Sequence, residues 1–328
     1  MEFIILNKLN NIFFINKNNI YIKITFLNKI LFLIIIINIL LIFQFQAYVF
    51  QKKDEDFFQT KNQEQNVLFK QDNLTLVTCF YMIGDNSKHS LIGYFNWMEK
   101  FLKLNKSIVI FTEKSFLQII KQLRPINLHY RTKFIELEIK DFYAYKKYGK
   151  IFKNTYKLEF DNNLNIPLYL IYGEKCAFLK RAIENNYFNS TCFYWIDIGY
   201  FRKYNELMEN YTNSWPSLKR CYEDPRVLIN LLREFTEVEI NGLLEFNLTW
   251  HKRLQRNIST AGGMFGGKAE NLLKFIDLYY KSIILFSNHN IYMGKDQNIF
   301  TFVGFSHPEV VRFVYTKGDY YYFKKYLS

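Results

Sequence analysis

Glycine is scarce in this chain, with 13 in 328 residues, and Gly262, Gly263, Gly266 and Gly267 crowd into one short window. Histidine is thinner still: His89, His129, His251, His289 and His307 show none of the spacings that ligate a metal. The four cysteines, Cys79, Cys176, Cys192 and Cys221, form no zinc pattern. Their even number is compatible with disulfides, while Cys79 and Cys192 lie in apolar strand-like runs and read equally well as small buried hydrophobes. Ser87, Ser90 and Ser259 lack a glycine-flanked elbow and Cys79 has no evident histidine partner, so a hydrolase nucleophile is unmotivated. No Lys-Ser/Thr follows the glycines at Walker spacing. The cluster also comes too late, after a polar stretch, to be a dinucleotide fingerprint. Acids are outnumbered, 30 against 43 Lys and Arg, leaving a net charge of +13. That balance favours anionic partners such as nucleotides, phosphorylated glycans or a membrane surface. The lysines are dispersed and no basic recognition helix is present, so nucleic acid is not an expected partner.

Charge is missing altogether from residues 30–50, ILFLIIIINILLIFQFQAYVF. A run of this length spans a bilayer core as a helix. Lys8, Lys17, Lys23 and Lys29 precede it, and Asp54, Glu55 and Asp56 follow soon after. This asymmetry predicts a cytosolic tail over 1–29, a single-pass signal anchor over 30–50 and a lumenal remainder. No small-residue cleavage site stands behind the run, which argues against a removed signal peptide. Residues 51–73 are polar and read as a stalk, and 74–328 as one catalytic domain. Sequons at Asn73, Asn105, Asn189, Asn210, Asn247 and Asn257 agree with a type II protein of the secretory pathway, with the Golgi apparatus as the expected station.

From Leu74 the chain alternates apolar runs with helical periodicities. Leu74–Met82 and Ser107–Phe111 read as buried strands, Ile92–Leu104 and Ser115–Leu123 as helices. Ile166–Leu170 reads as extended, Tyr172–Asn185 as a helix, Phe193–Ile198 as a strand and Lys268–Ile284 as a long amphipathic helix. The succession predicts an α/β fold with right-handed crossovers and a central, mostly parallel sheet.

Phe193-Tyr194-Trp195-Ile196-Asp197-Ile198-Gly199 is an apolar run interrupted by one acid and closed by a glycine. A buried strand that delivers a carboxylate to a cleft at its carboxyl end has this form. The window 261–267 is expected to be a loop whose backbone lies close to a ligand. An acid facing a glycine-rich loop outlines a sugar-nucleotide site. The alternatives are ordinary: Asp197 capping a helix or pairing with Arg202, and the glycines forming a tight turn into the next helix.

These segments in this order, Leu74–Tyr81, Trp97-Met98 ahead of Ile108–Glu113, the Trp-Ile-Asp-Ile-Gly-Tyr-Phe-Arg run and the Gly-Gly-Met-Phe-Gly-Gly window, resemble the HtrL/YibB (WlaTC/HtrL) glycosyltransferase family over residues 74–300. The resemblance implies a GT-A-like nucleotide-diphospho-sugar transferase fold. It implies transfer of a hexosyl group from a nucleotide-diphosphate sugar to a glycan acceptor. Thr78, Phe80, Thr112, Glu113, Trp195, Asp197 and Arg202 would then lie on the donor side. Gly262, Gly263, Gly266, Gly267 and Gln297 would shape the sugar and acceptor site, and Asp296 would accept the acceptor's proton. Lys175 or Arg181 could add positive charge for the leaving diphosphate. The usual metal pattern of the fold has two acids flanking one residue, whereas here Trp195-Ile196-Asp197 offers one. Asp197 is thus the sole expected ligand for Mn²⁺ or Mg²⁺, a thin shell that leaves metal dependence open. A catalytically inactive glycan- or nucleotide-sugar-binding protein on the same fold is the alternative.

Overall fold

A computed structural model describes residues 73–83, 90–157, 165–202, 215–244, 259–291, 295–319 and 322–328. The expected anchor and tail, and the stalk up to residue 72, lie outside these residues. Among the described residues no helix is long and apolar enough to cross a membrane.

Seven strands form one sheet: β1 (Leu74–Phe80), β2 (Ser107–Thr112), β3 (Thr132–Glu136), β4 (Cys192–Ile196), β5 (Val227–Leu231), β6 (Thr260–Lys268) and β7 (Val311–Tyr315). Their spatial order is β3-β2-β1-β4-β6-β5-β7. Every pairing is parallel except those of β6, which runs antiparallel to both β4 and β5. The described helices are α1 (Leu91–Leu102), α2 (Lys114–Leu123), α3 (Tyr143–Tyr156), α4 (Ile166–Asn185), α5 (Leu218–Glu223), α6 (Glu237–Leu244), α7 (Ala269–Asn288), α8 (Asp296–Ser306) and α9 (Tyr322–Tyr326). β1, β2, β4 and β5 are buried at every position. Their uncharged, largely apolar runs follow from cover on both faces, the habit of parallel strands. Val77, Val109, Trp195 and Phe265 pack into one core with side chains of α4 and α7. Phe80, on the other face, meets Phe95 of α1 and Phe116 of α2.

Two sequence expectations fail here. Ile166–Leu170 is the first turn of α4 rather than a strand: Asn165 accepts from Leu168 N–H as N-cap, and Pro167 sits where a missing N–H costs nothing. Residues 261–267 are strand β6, not a loop. Their glycines answer to packing, because a Cβ on Gly266 would lie 2.3 Å from the Phe193 carbonyl oxygen and one on Gly267 would lie 2.7 Å from that of Arg226.

Cys192 and Cys221 form a disulfide that ties the start of β4 to α5, while Cys79 and Cys176 are free and buried. Alkylation after denaturation without reductant should therefore label two thiols per chain, and four after reduction. Labelling of all four without reductant would refute the pairing.

Glu174 of α4 is buried, and its carboxylate accepts the Tyr143 and Ala144 N–H groups that open α3, at 2.9 and 2.7 Å. Burial outweighs those bonds and pushes its pKa up to about 7 from 4.5. The folded state then holds a proton that the unfolded state has released, so stability declines as pH rises from 4.5 through 7. Glu174→Gln should remove up to about 1.4 kcal/mol per pH unit of that decline. Denaturant midpoints of both proteins across this range check it, and parallel profiles would refute it.

Candidate active site

Two carboxylates, one ammonium group and a backbone carbonyl meet where β4 ends and β6 begins. Asp197 is the first residue past β4, and its N–H donates to the Gly263 carbonyl at 2.8 Å. β6 pairs with β5 through Gly266 and Phe265, and again through Ala261 and Thr260. Residues 262–264 therefore bulge out of that ladder, turning the Gly262 carbonyl toward the end of β4. Asp296 opens α8 beside them, and α4 sends Lys175 in from its middle turns.

Lys175 is the hub. Its Nζ donates to Gly262 O at 2.9 Å and pairs with Asp197 Oδ1 at 3.1 Å and Asp296 Oδ2 at 2.8 Å. The ring faces of Tyr172 and Trp195 lie 5.3 and 5.6 Å away. A buried ammonium is tolerable only when oxygens gather round it, and here Gly262 O accepts its hydrogen bond while two carboxylates stand within 3.1 Å as ion-pair partners. The two carboxylates differ sharply in access. The Asp296 side chain is 3% exposed, and that of Asp197 is 42% exposed. Asp296 Oδ1 accepts the Gln297 N–H at 2.9 Å. Asp197 Oδ1 also takes the Trp195 indole N–H at 2.8 Å, leaving Oδ2 toward the open side. The Asp197 carboxyl is held above the usual range, chiefly by the loss of water on its packed side. Lys175 and the indole oppose the shift, and Asp296 adds to it.

Gly262 is required by this arrangement, since a Cβ there would fall 2.4 Å from Asp296 Oδ2. Gly262→Ala must displace the carboxylate and loosen the Lys175 cluster, at an expected cost of about 1–3 kcal/mol. Thermal unfolding checks this, and an unchanged Tm would refute it.

The remaining expected site residues separate into two groups. Tyr94 and Trp97 of α1, which were not among the expected site residues, stand half-buried at the rim with ring centroids 5.3 Å apart. The Cβ position of Gly199 is 3.3 Å from the Trp97 ring, which brings α1 against the turn after Asp197. Arg202 is exposed on that turn, and its charge and that of Asp197 both act on the Tyr94 hydroxyl. Away from the cluster, Thr78 and Phe80 are buried within β1 and its packing, and Thr112 donates to the Phe80 carbonyl at 2.8 Å. Glu113 accepts from the Met82 N–H at 3.2 Å. These contacts bind the ends of β1 and β2 together, so the side chains of Thr78, Phe80 and Thr112 are turned to protein. Trp195 is likewise buried and reaches the site through its indole N–H. The Gln297 amide is spent on the Thr260 carbonyl at 2.8 Å. Arg181 lies over the Phe111 ring and acts on Glu174, outside the cluster. Gly266 and Gly267 pack closely against β4 and the start of β5.

The family model described as "Bacterial protein of unknown function (HtrL_YibB)" matches residues 72–327. The chain belongs to the HtrL/YibB family. That description brings no activity with it, and a comparison with curated proteins finds no match. Among solved structures, the chain is similar to mouse xyloside xylosyltransferase 1 in its apo form, at 13% identity and a TM-score of 0.41, over 74% of this chain and 84% of the other. It is also similar to core-mannan synthase A of Aspergillus fumigatus in its Mn/GDP form, at 10% identity and 0.40, over 76% and 74%. A third similarity is to 4-diphosphocytidyl-2C-methyl-D-erythritol synthase of Anaerococcus prevotii, at 10% and 0.29, over 77% and 97%. At these scores the likenesses carry no argument about chemistry, which must come from the site.

The donor set fits a divalent cation poorly. Among the described residues no three His, Cys, Asp or Glu side chains gather into a metal site. The two acids that do meet already share an ammonium group.

Proposed function

We propose that this member of the HtrL/YibB family is a glycosyltransferase that moves a hexosyl group from a nucleotide-diphosphate sugar to a glycan hydroxyl. The observation that carries the reading is the open carboxylate of Asp197 at the carboxyl end of a central parallel strand, anchored from behind by Trp195 and Lys175. In the transfer, the bond from the donor's anomeric carbon to the diphosphate oxygen breaks and the acceptor oxygen bonds to that carbon. The acceptor's proton passes to Asp197, and the nucleoside diphosphate departs. Asp296, expected from sequence to take this proton, is closed off and tied to Lys175, so the base is assigned to Asp197 and the positioning of Lys175 to Asp296. Arg202, exposed beyond the strand, supplies charge to the departing diphosphate, and Tyr94 with Trp97 offers an aromatic wall for a sugar or base.

A hydrolysis screen of nucleotide sugars, with glycan acceptors present and absent, tests the reading. Turnover of a donor supports it. Donor binding with no turnover in any acceptor pool would favour the inactive binding protein, a reading that draws on the engagement of both carboxylates by one lysine. The membrane anchor at 30–50 and a catalytic domain on the oxidising side belong to the same proposal, supported by the Cys192–Cys221 disulfide. An endoglycosidase shift of the protein expressed in a eukaryotic cell is the expected result, and a cytosolic, unmodified domain would remove this part.

A further inference from the structure

Three neighbours of Asp197 set its chemistry, and together they work against a metal ion there. Trp195 stands two residues before it and presents an N–H donor, where a second acid would have presented an oxygen. Lys175 brings a positive charge within 3.1 Å of the same carboxylate. Asp296, the other acid within reach, is bound to that ammonium at 2.8 Å and walled in by Gly262. The three oxygens around Nζ come from two carboxylates and one carbonyl, the hard donors that otherwise hold Mg²⁺, Mn²⁺ or Ca²⁺. They stand at 2.8–3.1 Å, ammonium distances, whereas a divalent ion would draw them in by several tenths of an ångström. The cage is of the right composition for a cation and is filled by one that belongs to the chain.

We infer that the Lys175 ammonium occupies the cation position of this site, so that the donor diphosphate is bound without a divalent metal ion. The inference deepens the transferase reading and rests on it for its catalytic meaning. Two consequences separate Lys175 from an ordinary buried ion pair. Charge for the diphosphate must come from side chains at the mouth, such as Arg202, exposed on the turn after Asp197. And removing the ammonium should expose an oxygen cage that accepts the ion it normally excludes. Lys175 acts through Asp197 and Asp296 and is therefore a positioning residue.

The experiment is a Mn²⁺ titration of the full chain followed by electron paramagnetic resonance, on the wild type, Lys175→Ala, Lys175→Arg and the double variant Lys175→Ala with Asp197→Asn. The expected result is no specific Mn²⁺ binding by the wild type or Lys175→Arg. Lys175→Ala should bind at least about tenfold more tightly, and the double variant should lose the gain. Sub-millimolar binding by the wild type that disappears in Asp197→Asn would overturn the inference. So would a folded Lys175→Ala protein that gains nothing. If Lys175→Ala fails to fold, the wild type against Asp197→Asn still decides. Once a donor is found, its turnover should be the same within about twofold in EDTA, and a loss restored by Mn²⁺ would also overturn the inference. If no donor is ever turned over, the transferase reading fails while the resonance titration still judges the lysine.

Discussion

Asp197→Asn is expected to cut donor turnover by about 10²- to 10³-fold while the protein stays folded. Asparagine keeps the shape and still offers an oxygen to the Trp195 indole N–H, and Lys175 retains Asp296 and Gly262 O. What is lost is the capacity to take a proton from an attacking hydroxyl. Because the Asp197 carboxyl is held above its usual value, the wild-type rate should fall on the acid side at a pH above the normal carboxylate range. The residual activity of the variant should lack that limb. The same shift means ionised Asp197 is disfavoured by folding, so the variant should be no less stable than the wild type near neutral pH. Rates across pH and a denaturant titration of both proteins measure all three. A variant of full activity would remove Asp197 from the reaction.

Arg124→Ala is expected to produce the largest loss of stability, about 3–5 kcal/mol, with a fall in Tm of about 10 °C or more. Arg124 stands just past α2, only 1% exposed, and donates to the carbonyls of Leu102, Leu104 and Lys106 and to the Thr132 hydroxyl. One planar group thus closes the turn from α1 to β2 and fixes the start of β3. Alanine would take a donor from three buried carbonyls at once, of which that of Leu104 keeps the Lys106 N–H. Burial, with the neighbouring Arg131 charge adding to it, lowers the guanidinium pKa to about 9. Arg124→Lys should recover only part of the loss, since an ammonium cannot present the same fork to separate carbonyls. Lysine at full wild-type stability would show that charge, and not the fork, is what the turn requires.

Much of the frame is legible in the sequence because the central strands and the amphipathic helices obey simple rules. Leu74–Phe80, Ser107–Thr112 and Cys192–Ile196 are uncharged, largely apolar runs, and the faces of α1 and α7 repeat at helical spacing. Asp197 is visible as the one charge that breaks such a run. The glycine window misleads because clustered glycines usually mark irregular backbone, yet here they let β6 lie close against β4, β5 and Asp296. Pro167 misleads in the same way, since at a helix start it is permitted rather than disruptive. Lys175 is read from the sequence only as one of two further charges for the diphosphate, not as the centre of a cluster. Nothing local in Tyr172–Ala177 distinguishes a surface lysine from one that gathers oxygens from β4, β6 and α8, because the partners are distant in sequence. The burial of Thr78, Phe80 and Thr112 is hidden for a related reason: strand ends near a cleft also have to be stitched to each other, as Thr112 does to the Phe80 carbonyl.

The reversed direction of β6 has a consequence for assembly. A parallel neighbour would have brought its far end to Asp197, whereas β6 arrives with its first residues, after the whole excursion through β5 and α6. The oxygens around Lys175 are therefore contributed by three separate passes of the chain, the last of them at Asp296. Such distant closures are slow to meet. Strands β1 to β4 could already be paired while the reactive centre is still missing, so a folding assay that reports the sheet and one that reports activity should not keep the same time.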